Sequence, residues 1–254
     1  MTHHRGLAAA VGIVTAGLAV AIGLVVAVAY AGQGGPLPEP PATGAAGAPT
    51  VAATVDGAQQ RADDPVPARY RPDPTWLEAT AARTQIPVRA LAAYAQAHLT
   101  VAAEQPDCEV AWNTLAALGG IESQHGSIHG SVLGPDGLSR PAIRGPALDG
   151  GAFGAVRDTD GGSLDGDTRW DRAVGPLQFI PSTWETWAAD ANGDGVADPD
   201  QIDDAALAAG RYLCHSGALS DAAAWRRAVF SFNHSDTYVD DVARLADTYA
   251  QLAD

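Results

Sequence analysis

The sequence predicts a mainly α domain, residues 73–254, reached through an apolar N-terminal segment and a tether. Three observations carry this. Apolar residues recur every three or four positions in several stretches beyond residue 73. No stretch alternates apolar and polar residues strongly enough to mark a strand. Residues 7–31 carry no charge, whereas residues 32–72 are rich in Pro, Ala, Gly and Thr.

At the N-terminus, residues 1–6 contain His3, His4 and Arg5. The 25 residues from Leu7 to Ala31 are almost wholly apolar, enough to span a bilayer. No Lys or Arg follows until Arg61, so residues 1–6 are expected in the cytoplasm and the rest outside the membrane. Two readings stand. The length favours an uncleaved transmembrane anchor, while Ala29-Tyr30-Ala31 offers a small-x-small cleavage site for a signal segment. Either exports the domain. Residues 32–72 read as a disordered, semi-extended tether. The remainder is ample for one domain with its own core.

Asp73-Pro74 reads as an N-cap followed by proline in first position, opening the first helix. Leu91, Tyr94, His98 and Val101 place a second helix between Pro87 and about Glu104. A third is expected from a cap at Asp107 to about Gln124. From Gly126 to about Arg172 neither period is sustained, and an insertion of that length in a compact domain usually serves a site. Ser182-Thr183-Trp184-Glu185 has the form of a capping box, which gives Glu185 a structural role. A helix from Asp204 to about His215 is stopped by Gly217, and another runs from a cap at Ser220 to about Phe232. Tyr238, Val242, Leu245, Tyr249 and Leu252 mark a last amphipathic helix.

The third helix carries the most informative residue. Trp112, Leu115, Gly119 and Glu122 fall at steps of three, four and three, so Glu122 shares a face with apolar or small residues. Gly126 is a natural stop, which puts Glu122 in the last turn. Burial raises a carboxyl pKa, and the negative end of the helix dipole raises it further. A Glu protonated near neutral pH suits a general acid.

Three further clusters accompany it. In Gly175-Pro176-Leu177-Gln178-Phe179, Gly175 permits close backbone approach, and Gln178 is an uncharged donor and acceptor suited to a sugar hydroxyl or amide. The same residues also suit a plain turn before a helix. In Asp190-Ala191-Asn192-Gly193-Asp194-Gly195-Val196, oxygen side chains at positions one, three and five and Gly at six match the start of an EF-hand calcium loop. Gln201 stands where the closing Glu would be, leaving Asp198, Asp203 or Asp204 to close a longer loop. A solvated turn is the alternative. In Ser231-Phe232-Asn233-His234-Ser235-Asp236-Thr237-Tyr238, Asn233 suits an N-acetyl group or a water, or simply ends one helix before Ser235 or Asp236 caps the next.

The formal charge of −15 makes nucleic acid and anionic lipid poor partners. Cys108 and Cys214 are the only cysteines, and in an exported domain the simplest expectation is one disulfide, with free thiols the alternative. His125 and His129 are separated by the helix stop and make a poor zinc pair. Asp171-Arg172 reads as a local ion pair.

In order along the chain, the segments Ile121-Glu122-Ser123-Gln124-His125-Gly126, Ala173 to Trp184, the Asp190 loop, Ala205 to Cys214 and Phe232-Asn233-His234-Ser235 resemble the lytic murein transglycosylases. The similarity is nearest to the membrane-bound B-like branch found in actinobacteria. It covers residues 73–254. The resemblance implies a lysozyme-like, α-rich fold with a groove for peptidoglycan strands. Glu122 would be the single catalytic acid/base, cleaving the bond between N-acetylmuramic acid and N-acetylglucosamine without water. Ser123, Gln124, Gly175, Gln178, Phe179, Asn233 and Tyr238 would contact substrate. Asp190, Asn192, Asp194, the Val196 carbonyl and Asp204 would hold a structural calcium, and the chemistry would need no cofactor. Cell-wall synthesis or division proteins would be the partners. Many relatives have Tyr where Phe232 stands, so a hydroxyl at that position would have to come from Ser231 or Tyr238. Hydrolysis of the same bond would require a second carboxylate about 5–9.5 Å from Glu122, for which Asp160, Asp165 and Asp167 are the nominees.

Overall fold

The computed structural model describes residues 70–151 and 154–254. The expected cytoplasmic segment, the anchor or signal segment and residues 32–69 of the tether lie outside them. Among the described residues no helix is long and apolar enough to cross a membrane. Seven α-helices are present there: α1 (Pro74–Thr84), α2 (Val88–Glu104), α3 (Trp112–Ser123), α4 (Pro181–Trp187), α5 (Ile202–Cys214), α6 (Ala222–Phe232) and α7 (Asp236–Ala253).

The helix α3 packs against α2, α5 and α7. Its middle, Leu115 to Gly119, is buried all round, as a helix without a polar face must be. Leu91, Tyr94, Leu177, Ile202, Leu213, Trp225 and Val242 share its core. Burying each such large side chain contributes about 1.5–3 kcal/mol. Cys108 and Cys214 form a disulfide, which ties the segment before α3 to the end of α5.

Asp73 caps α1 as expected, its Oδ1 accepting from the amides of Thr75 and Trp76 at 2.9 Å. Ser235 caps α7 through the Tyr238 amide. Four other starts differ from expectation. Helix α3 begins at Trp112 rather than after Asp107, because Cys108 is held in the disulfide and Glu109 takes φ +61°. Pro181 occupies the first turn of α4, so Ile180 is the cap, Ser182 lies inside the helix and Glu185 is exposed. The capping box does not form. Helix α5 begins at Ile202, with the Gln201 side chain accepting from the amides of Asp203 and Asp204. Asp221, not Ser220, caps α6.

The insertion between α3 and α4 is not wholly irregular. Strands β1 (Val132–Leu133) and β2 (Ser139–Arg140) pair antiparallel, as do β3 (Arg144–Ala147) and β4 (Arg172–Val174). Each has at most four residues, too few for alternation to register in sequence. Arg172 pairs with Asp167, not with Asp171, whose carboxylate accepts from Thr159 instead.

Candidate active site

Helix α3 ends in a run of left-handed residues: Gln124 (φ +52°), His125 (φ +59°) and Gly126 (φ +83°). The stop therefore falls two residues before the glycine. The amides of Gln124 and His125 close onto Gly120 and Gly119 carbonyls, satisfying the helix end. What holds a non-glycine pair in this conformation is the His125 ring. Its Nδ1 lies 3.2 Å from Tyr94 Oη and its Nε2 3.0 Å from Tyr249 Oη. Burial pushes its pKa down to about 4, so the ring is neutral at physiological pH. Gly119 is required because a Cβ there would collide with the Tyr94 phenol.

Glu122 stands half-buried in the last turn of this helix. Burial raises its pKa to about 7, and a hydrogen bond from Tyr238 acts in the opposite direction. Tyr238 Oη donates to Glu122 Oε1 at 2.6 Å. The Ser235 cap fixes the first turn of α7 and so aims that phenol. Burial and the carboxyl partner raise the Tyr238 pKa, keeping it a proton donor in the bond. Of the two hydroxyls the sequence offered, Tyr238 touches the carboxyl itself, while the Ser231 hydroxyl donates to the Ala228 carbonyl.

The other expected substrate residues divide. Gln124 is exposed, and Asn233 is half-exposed at the end of α6. Ser123 is fully buried: its hydroxyl donates to the Pro176 carbonyl at 2.6 Å and accepts from the Gly126 amide. It joins α3 to the Gly175 turn and does not face a groove. Phe179 is 3% exposed, packed edge-on against Trp184 and Phe232, so it belongs to the core. Phe232 in turn meets Tyr212 edge-on. At Gly175 a Cβ would collide with the Pro199 carbonyl, so the close approach it permits is to protein backbone. Gln178 takes φ +50°; its Nε2 donates to Gly175 O at 2.8 Å, while its buried Oε1 has no hydrogen-bond partner.

The nominees for a second carboxylate are engaged elsewhere. Asp160 accepts from Gly162 and Leu164 amides, Asp165 from the amides of Asp167 and Arg172, and Asp167 from the Arg172 guanidinium.

In the Asp190 loop, Asp190 accepts from the amides of Gly193 and Gly195, Asn192 bonds Asp194, and Val196 is exposed. Asp204 is fully buried, accepts from the amides of Ala191, Asn192 and Asp198, and has a pKa raised by burial to about 6. Asp203 pairs with Arg89 and accepts from Gln201. Asp198 accepts the Asp200 amide. The donor set of Asp190, Asn192, Asp194, Val196 carbonyl and Asp204 is all oxygen, which fits a hard cation such as calcium. The carboxylates are turned onto the loop's own amides. Among the described residues, the acidic groups whose oxygens lie within 4.8 Å of one another are Asp158, Asp160 and Asp171, in the insertion.

The helical domain thus holds a protonatable carboxyl, Glu122, at the end of α3, with the Gly175 turn tied to that helix through Ser123. Residues 75–229 match the family described as the transglycosylase SLT domain, and the chain belongs to that family. Among solved structures it is similar to the crystal structure of SltB3 from Pseudomonas aeruginosa in complex with NAG-anhNAM-pentapeptide, at 18% identity over 70% of this chain and 67% of that one, with a TM-score of 0.41. No curated protein matches the chain.

Proposed function

We propose that the protein is a peptidoglycan lytic transglycosylase of the membrane-bound B-like, actinobacterial type. It cleaves the β-1,4 bond between N-acetylmuramic acid and N-acetylglucosamine, leaving 1,6-anhydromuramyl ends, in the service of wall remodelling. The observation that carries this reading is Glu122: a half-buried carboxyl with its pKa near 7, one phenol donor, and nominee carboxylates engaged elsewhere.

Glu122 delivers its proton to the bridging oxygen as the bond to the muramyl anomeric carbon breaks, and the N-acetylglucosamine end leaves as an alcohol. The resulting carboxylate is stabilised by the Tyr238 hydrogen bond. It then takes the proton of the muramyl 6-hydroxyl, whose oxygen attacks the anomeric carbon. The acid is regenerated and no water is consumed. A second carboxylate is needed in ordinary glycosidases to activate water or to attack. An intramolecular nucleophile already tethered to the substrate removes that need. The domain acts outside the cell, held by residues 7–31 as an anchor or released by cleavage after Ala31, beside proteins of wall synthesis or division. The Asp190 loop takes a structural calcium.

Mass spectrometry of digested sacculi tests the reading. Anhydromuramyl ends are expected. Reducing ends alone would mean a hydrolytic muramidase, and intact sacculi with bound protein a silent wall-binding domain.

A further inference from the structure

Glu122 sits in a helix end that is weak by composition. Gly119 and Gly120 precede it, and glycine is a poor helix former. Gln124 and His125 follow it in the left-handed region, which non-glycine residues hold only where their surroundings over-determine them. Left alone, such an end frays, and a carboxyl within it has neither a fixed direction nor a fixed burial. The His125 ring opposes this. It is 8% exposed, with Tyr94 of α2 at one nitrogen and Tyr249 of α7 at the other. The two glycines let the helix end approach that link. The Tyr94 phenol fills the space that a Cβ at Gly119 would need, and a Cβ at Gly120 would come within 3.3 Å of both His125 Cε1 and Tyr249 Oη. A neutral imidazole has one N–H, so one phenol accepts from the ring and the other donates to it. Helix α7 therefore grips the end of α3 at two points about three turns apart, through Tyr238 at the carboxyl and Tyr249 at His125.

We propose that His125, with Tyr94 and Tyr249, is a positioning residue for Glu122: the tyrosine–histidine–tyrosine link ends α3 at Ser123 and pins its last turn between α2 and α7, so that the carboxyl is aimed before the glycan arrives. This rests on the peptidoglycan reading. Both ring nitrogens are occupied, so His125 acts on Glu122 only through the helix end that they share. Aim matters because a displacement of about 1 Å at a reacting group can cost about a hundredfold in rate.

The test has two readouts on the full chain: steady-state kinetics on soluble uncross-linked glycan strands, and the titration of the Glu122 carboxyl followed by carbon NMR without substrate. Tyr94→Phe and Tyr249→Phe each remove one bond and keep the ring. Each should lower kcat about tenfold with KM within about twofold, the signature of an interaction that serves the transition state. Each should also move the Glu122 midpoint down from about 7 by roughly half to one unit, because a loosened end admits water to the carboxyl. His125→Asn tolerates the left-handed backbone but cannot span both phenols, and should lower kcat about a hundredfold. His98→Phe is the control. It breaks a half-buried histidine's bond to the Val110 carbonyl, at the opposite end of α3, and should lower the melting temperature without moving kcat or the midpoint. If His125→Asn does not fold, the two tyrosine variants carry the test. Wild-type kcat and midpoint in both of them, or equal losses in His98→Phe, overturn the positioning role. A wild-type protein inert on strands and sacculi overturns the peptidoglycan reading instead, and the Glu122 midpoint then decides the positioning by itself.

Discussion

Glu122 at the end of α3 and Asp204 in the first turn of α5 are both carboxyls that burial lifts above their ordinary range, to about 7 and about 6. Their company differs. Asp204 accepts three backbone amides and sits at the positive end of a helix dipole. Glu122 accepts one phenol and sits at the negative end. Amides and dipole favour the charged form of Asp204 against its burial, so it organises a loop. Glu122 has little to hold it charged, so a proton stays within reach near neutral pH. Two carboxyls whose pKa shifts point the same way are separated by how many donors face them.

The sharpest break of this comparison is Glu122→Gln. Turnover should fall by about a thousandfold or more, within the span attributed to general acid–base groups. The same variant should stabilise the fold, and more so at alkaline pH. Glu122 has a folded pKa above its unfolded value of 4.5, so below pH 4.5 both states are protonated and its ionisation costs nothing. The cost grows between pH 4.5 and 7 and is full above 7. Discounted for partial exposure, it is about 2 kcal/mol, or about 4–8 °C in melting temperature for a domain of this size. Thermal melts at pH 5 and pH 8 measure it. An equal gain at both would mean that Glu122 ionises freely.

Much of this was legible in sequence, and what was not has physical reasons. The helical periods of α2 and α7 survive because each buries one continuous face. Asp73 and Ser235 announce their helices because a short polar side chain precedes the first turn. Asp107, Ser182 and Ser220 announce helices in the same way, but the disulfide, Pro181 and Asp221 decide those starts. Glu122 was readable from the spacing of Trp112, Leu115 and Gly119. Its contact with Tyr238, 116 positions away, was only half readable, since the sequence offered Ser231 and Tyr238 alike as the hydroxyl and only the fold brings one of them to the carboxyl. Ser123 and Phe179 are buried, and a polar or aromatic residue beside a groove reads the same whether it faces in or out. His125 shows no periodic signal at all. Its role follows from Tyr94 and Tyr249 meeting it from two other helices.

A smaller effect sharpens the Asp204 side. If the loop exists to hold a cation, calcium should raise the melting temperature. At a hundredfold excess over the dissociation constant the gain is about 2.7 kcal/mol, or about 5–11 °C. Asp190→Ala with Asp194→Ala should erase that rise, while the pH dependence of Glu122 stays where it was. Melts with calcium and with chelator are the measurement. A curve indifferent to both would leave Asp204 as a carboxylate whose amides suffice alone.

The smallest expected effect probes the one donor that Glu122 keeps. Tyr238→Phe removes a hydrogen bond that favours the carboxylate and leaves the ring in place. The carboxyl should then hold its proton more tightly, and the alkaline limb of kcat/KM should move upward from about pH 7 by roughly half to one unit. The rate on the plateau should fall about tenfold, because the carboxylate formed in the first proton transfer loses its only phenol. The two changes have opposite signs at alkaline pH, which separates them from simple unfolding. A limb that stays in place would show that burial alone sets the acidity of Glu122, and that the phenol only packs against it.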